Sequence, residues 1–140
     1  MKNIFSGLAV LFIFALSLNS VWAGNIYDQY GRKTGSYKET PNGYNTYDKY
    51  GRKTGSYRET SNGYNTYDRY GRKTGSYRET QNGYNTYDKY GRKTGSYKTN
   101  SGGTTTIYDQ YGRKTGTLKK DSSGRTVRYD RYGRKTGSYR

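Results

Sequence analysis

The side chains of this chain that could do chemistry are few in kind and repeated. There is no His and no Cys in 140 residues, which removes imidazole proton shuttles, thiol nucleophiles and the common zinc sites. The carboxylates, typified by Asp48 and Glu59, recur beside Arg or Lys and read as turn and ion-pair residues, not as a paired acid and base. Isolated Asp residues among many cations do not form an oxygen cage for calcium. No enzyme, cofactor or metal is expected. What remains is Tyr interleaved with Arg and Lys, a cationic and aromatic combination suited to gripping acidic polymers at many points. The candidate contacts are Arg32, Lys33, Arg52, Lys53, Arg58, Arg72, Lys73, Arg78, Arg92, Lys93, Arg113, Lys114, Arg134 and Lys135, with Tyr50, Tyr57, Tyr70 and Tyr77. The bland alternative is that Tyr packs, Arg stacks on it, and the charges only solvate the surface.

These residues sit in one phrase written almost six times. Its Tyr-Asp falls at Tyr27, Tyr47, Tyr67, Tyr87, Tyr108 and Tyr129, a spacing of 20 residues three times and 21 twice, which is the size of a supersecondary unit. The repeats run 27–46, 47–66, 67–86, 87–107, 108–128 and 129–140. Asn-Gly at 42–43, 62–63 and 82–83 predicts a type I′ hairpin turn, because both residues tolerate positive φ. Half a repeat away, Asp48-Lys49-Tyr50-Gly51 predicts a second turn, with Asp accepting a turn N–H and Gly supplying positive φ. The segments between, Gly43 to Tyr47 and Arg52 to Thr60, are rich in Tyr and Thr and read as strands. Later units carry their extra residue in Ser101-Gly102-Gly103 and Asp121-Ser122-Ser123-Gly124, so the insertions fall in turns and leave strand register intact.

The expected fold is all-β: an elongated, twisted antiparallel array of stacked hairpins, solenoid-like in its coiling. Period-two alternation places Lys53, Gly55, Tyr57 and Glu59 on one face and Thr54, Ser56, Arg58 and Thr60 on the other, with Tyr44 and Tyr47 on opposite faces. Neither face is cleanly apolar on that reading. Ile26, Ile107, Leu118 and Val127 are the only Ile, Leu or Val after residue 23, so tyrosine must build the core.

Residues 1–23 differ in character: Lys2, an apolar run from Ile4 to Leu18, then Val21-Trp22-Ala23. They read as a cleaved signal peptide with a helical segment, too short in its apolar run for a bilayer span. The chain is therefore expected to be exported from a bacterial cell, to the periplasm or, secreted, to the medium or the cell surface. Beyond residue 23 it carries 25 basic and 10 acidic residues, net +15, which implies an acidic partner.

With Tyr-Asp-x-x-Gly-Arg at 27–32, 47–52, 67–72, 87–92, 108–113 and 129–134, the chain resembles the YD repeats of Rhs-type proteins. That resemblance implies β-hairpins in a spiralling sheet. A weaker likeness, Tyr-Asp-x-x-Gly followed by Thr-Gly, is to the hairpin repeats of choline-binding and glucan-binding surface proteins, whose ligands are held by aromatic residues.

Three functions follow as expectations. The first is a non-enzymatic binding or structural element at the cell envelope or extracellular matrix, contacting acidic polysaccharide, lipopolysaccharide, cell wall or extracellular DNA. The second is a Tyr-rich matrix protein that self-associates through open sheet edges. The third is a largely disordered cationic chain.

Overall fold

The computed structural model describes residues 23–140; the signal peptide and helical segment expected from the sequence lie, apart from Ala23, outside them. The described chain is twelve antiparallel strands. The first six are β1 (Ala23–Asp28), β2 (Lys33–Thr40), β3 (Gly43–Asp48), β4 (Lys53–Thr60), β5 (Gly63–Asp68) and β6 (Lys73–Thr80). The second six are β7 (Gly83–Asp88), β8 (Lys93–Thr99), β9 (Thr105–Asp109), β10 (Lys114–Lys120), β11 (Thr126–Asp130) and β12 (Lys135–Tyr139). Each pairs with its sequence neighbours, and β12 returns to pair with β1, closing a barrel.

The hairpin repeats are as the sequence reads them, but the elongated array is not. Twist accumulates in one sense from strand to strand, and the register shows how it closes. Ile26 faces Gly35, and Gly35 faces Asp48, two residues beyond Thr46, the counterpart of Ile26. Every hairpin adds the same stagger: Gly35, Gly55, Gly75, Gly95 and Gly116 face Asp48, Asp68, Asp88, Asp109 and Asp130. The sixth pair, Gly137 with Asp28, is the closing seam, flanked by Asn25 and Arg140 exchanging backbone hydrogen bonds of 2.8 and 3.0 Å. Equal steps that return to their start describe a pseudo-sixfold axis. Twelve strands at the tilt usual for barrels give a ring about 22 Å across. Closure leaves no unpaired strand edge among the described residues, which removes the edge-to-edge route to self-association.

Period two also breaks once in each repeat, and this produces the clean inner face missing from the sequence reading. Between Thr46 and Tyr47 the β3–β4 register slips, so that Thr54 and Gly55 share one partner. This bulge turns Thr54 to the side of Thr46, and their hydroxyls lie 2.9 Å apart; Thr66 and Thr74 repeat the contact at 2.8 Å. Gly55 fits there because a Cβ would lie 2.6 Å from the Tyr67 carbonyl oxygen. Tyr57 then pairs with Tyr44 and faces inward with it.

The turns divide likewise. At Asp48 the expected geometry holds: Gly51 has φ +81° and donates its N–H to the Asp48 carbonyl at 3.1 Å. At Asn42-Gly43 the type I′ turn does not form, since no described non-glycine residue has positive φ. Pro41 and Asn42 form the loop, with Thr40 facing Gly43; Gly43 lies at φ +146° and only glycine fits there, since a Cβ would overlap the Tyr57 carbonyl oxygen at 1.9 Å. The lengthened units keep strand register, as Gly95 opposite Asp109 shows; their loops use the Asp48-like geometry, with Gly103 and Gly124 donating to Asn100 and Asp121 at 3.1 Å.

A test follows from two glycines of one repeat. Gly71 is open to solvent at φ +81°, so Gly71→Ala costs only the left-handed conformation, about 1–2 kcal/mol. Gly63 lies at φ +153° with the Tyr77 carbonyl oxygen 1.9 Å from a would-be Cβ. Gly63→Ala therefore lowers the urea midpoint well beyond Gly71→Ala, and equal midpoints would contradict the packing described.

Candidate functional site: a crown of tyrosine and arginine

The twenty tyrosines separate into three tiers. Eight face the interior: Tyr37, Tyr44, Tyr57, Tyr64, Tyr77, Tyr97 and Tyr139 are at most 8% exposed, and Tyr84 packs against them. Ile26, Ile107 and Leu118 complete this core. Rings meet edge to face at 6.1 Å for Tyr37 and Tyr44, and tilted at 6.2 Å for Tyr57 and Tyr77, the separations aromatic pairs favour. Burial raises the pKa of all eight phenols. Arg128 stands where other repeats have an inward Thr or Ile, and its charge partly opposes the rise at Tyr97 and Tyr139.

Six more, Tyr27, Tyr47, Tyr67, Tyr87, Tyr108 and Tyr129, form a half-buried belt on the outer wall. Four carry a cation reaching over from the preceding strand: Lys38 over Tyr47, Arg58 over Tyr67, Arg78 over Tyr87 and Lys98 over Tyr108, at 4.7–5.9 Å.

The last six, Tyr30, Tyr50, Tyr70, Tyr90, Tyr111 and Tyr132, are 67–75% exposed. All stand on the Asp-x-x-Gly turns, which the closed register places at one end of the barrel and at one height. Each turn is built alike. Asp48 Oδ1 accepts the N–H groups of Tyr50 and Arg52 at 2.9 Å, and its Oδ2 accepts Arg52 Nε at 2.7 Å. The guanidinium so anchored lies 5.2 Å from the Tyr50 ring centre, and Lys49 Nζ lies 4.9 Å from it. Arg69 and Lys89 do the same at Tyr70 and Tyr90, whereas Gln29 and Gln110 occupy that position in two other units. Donation by the Arg52 amide is the largest influence on the Asp48 carboxyl, opposed by desolvation and seconded by the guanidinium, and holds it below the usual carboxylate range. The crown arginines remain 69–75% exposed although fixed in place. Each is thus a held cation, a planar donor array against a planar ring.

Basic charge is densest at the same end. Six Arg-Lys pairs at 32–33, 52–53, 72–73, 92–93, 113–114 and 134–135, with Lys49, Arg69, Lys89 and Arg131, place sixteen basic residues at the crown against six Asp, net +10. The opposite mouth is mixed: Glu39, Glu59, Glu79 and Asp121 stand there with Lys119, Lys120 and Arg125, and the glutamates add to the raised pKa of Tyr44 and Tyr64.

Most of the contact residues expected from sequence therefore gather at one end. Arg32, Lys33, Arg52, Lys53, Arg72, Lys73, Arg92, Lys93, Arg113, Lys114, Arg134, Lys135, Tyr50 and Tyr70 all belong to the crown. Arg58 and Arg78 lie apart, on the wall. Tyr57 and Tyr77 are 8% and 7% exposed inside the barrel and cannot touch an external polymer; the bulge at Thr54 and its equivalents turned the faces. Tyr30, Tyr90, Tyr111 and Tyr132 were missed as contacts, although each holds the place of Tyr50 in its own unit. Among the described residues no group of three or more carboxylates could hold a metal ion. No family model, curated protein or solved structure matches the chain.

Proposed function

We propose that the chain is a non-enzymatic binding element of the cell envelope or extracellular matrix that grips acidic polymers through its crown. The observation that carries this reading is the gathering of sixteen basic residues and six exposed tyrosines at one end of the barrel. Anchoring each guanidinium by Asp and Tyr removes much of the side-chain freedom that contact would otherwise cost. Repetition around the ring makes weak contacts additive through effective concentration.

Retention on immobilised DNA, lipopolysaccharide and cell wall should fall steeply between low and moderate salt, because each phosphate or carboxylate contact releases counterions. Neutral glycan should retain nothing. Salt-independent or absent retention on all the anionic matrices would defeat the proposal.

A further inference from the structure

The crown has a shape as well as a charge. Because every hairpin adds the same stagger and the sixth returns to the first, the six tips stand at equal height about the barrel axis. They define a plane, ringed by tyrosines 67–75% exposed. A plane can touch all six tips at once. A single flexible polymer would have to bend around a circuit of about 70 Å to do so, losing conformational freedom at every step.

Resting on the reading of the crown as a contact for acidic groups, we propose that its partner is an extended anionic surface: a lipid leaflet rich in phosphate headgroups, on which the barrel stands end-on. Tyrosine suits that position because its ring settles at the headgroup level while its hydroxyl stays wet. Basic residues beside it are drawn to an anionic leaflet, each tightening the contact about fivefold. The barrel stands on the surface and does not cross it: its strands are 5–8 residues long, against about 9–11 for a spanning strand, and its wall carries Lys38, Arg58, Arg78 and Lys98 over the belt. The opposite mouth, where Glu39, Glu59, Glu79 and Asp121 offset Lys119, Lys120 and Arg125, faces away.

The mature chain, residues 24–140, is sedimented with vesicles of equimolar phosphatidylcholine and phosphatidylserine, with phosphatidylcholine vesicles alone, and titrated with single-stranded oligothymidylate of matched charge. Binding is expected to the anionic vesicles, more tightly than to the oligonucleotide, and not to the neutral ones. On the vesicles, acetylation should spare Lys53, Lys73 and Lys93 while Lys38 and Lys98 continue to react. The triple change Lys49→Gln, Arg69→Gln and Lys89→Gln should weaken vesicle binding about a hundredfold at low salt without disturbing the fold, since Gln29 and Gln110 already hold that position. Oligonucleotide binding as tight as vesicle binding, or protection spread equally over wall and crown lysines, overturns the surface and leaves the polymer reading intact. Binding to neither overturns both.

Discussion

Raised above about pH 10, the protein should unfold in one cooperative step, with the phenolate absorbance of its interior tyrosines appearing at the same pH as loss of structure. Burial raises the folded-state pKa of Tyr37, Tyr44, Tyr57, Tyr64, Tyr77, Tyr84, Tyr97 and Tyr139 above the ordinary 10.0. Below pH 10 both states keep these protons, and the stabilisation is fully present. Above it the unfolded chain sheds protons that the folded chain holds, so stability falls as pH rises toward the folded-state values. The slope approaches about 1.4 kcal/mol per tyrosine per pH unit. For the five whose rise is large, Tyr44, Tyr57, Tyr64, Tyr77 and Tyr97, one unit offsets roughly 7 kcal/mol, against about 5–15 kcal/mol for an ordinary domain. Smooth titration of all twenty tyrosines in a chain that stays folded would mean that the interior tier does not exist.

The second large effect separates two tyrosines of one repeat. Tyr77→Ala empties a buried site 6.2 Å from the Tyr57 ring and should cost about 3–5 kcal/mol in urea unfolding. Tyr70→Ala removes a ring that is 67% exposed and should change stability by no more than about 0.5 kcal/mol. Comparable losses would show that the tiers are not distinct.

The contrast also marks how far the sequence could be read. Hairpins, the Asp48-type turns and the placing of insertions in loops were legible, because each rests on local backbone chemistry: Gly51 carries the positive φ, and Asp48 holds the turn N–H groups. The Asn42-Gly43 turn was misjudged because Gly43 answers to the carbonyl of Tyr57, on the neighbouring hairpin. The inner face was hidden by the bulge, as strict alternation cannot put Thr54 and Tyr57 on one side. Closure was hidden too, since it depends on the sum of six equal staggers and not on any single repeat. Of the site, the residue types and charges were legible. Their gathering into a crown was not, because it exists only once the ring closes.

Closure is thus the step on which the inward tyrosines and the crown both depend, and one measurement addresses it directly. Tyr27 on β1 lies opposite Ser138 on β12 across the seam, a pairing whose geometry accepts a disulfide, and the chain has no Cys of its own. With Tyr27→Cys and Ser138→Cys introduced together, mild oxidation of the folded protein should give a near-quantitative intramolecular bridge joining the two ends of the repeat array. Failure to form that bridge at dilute concentration, with both thiols free and reactive in the folded protein, would contradict the barrel and return the chain to an open array.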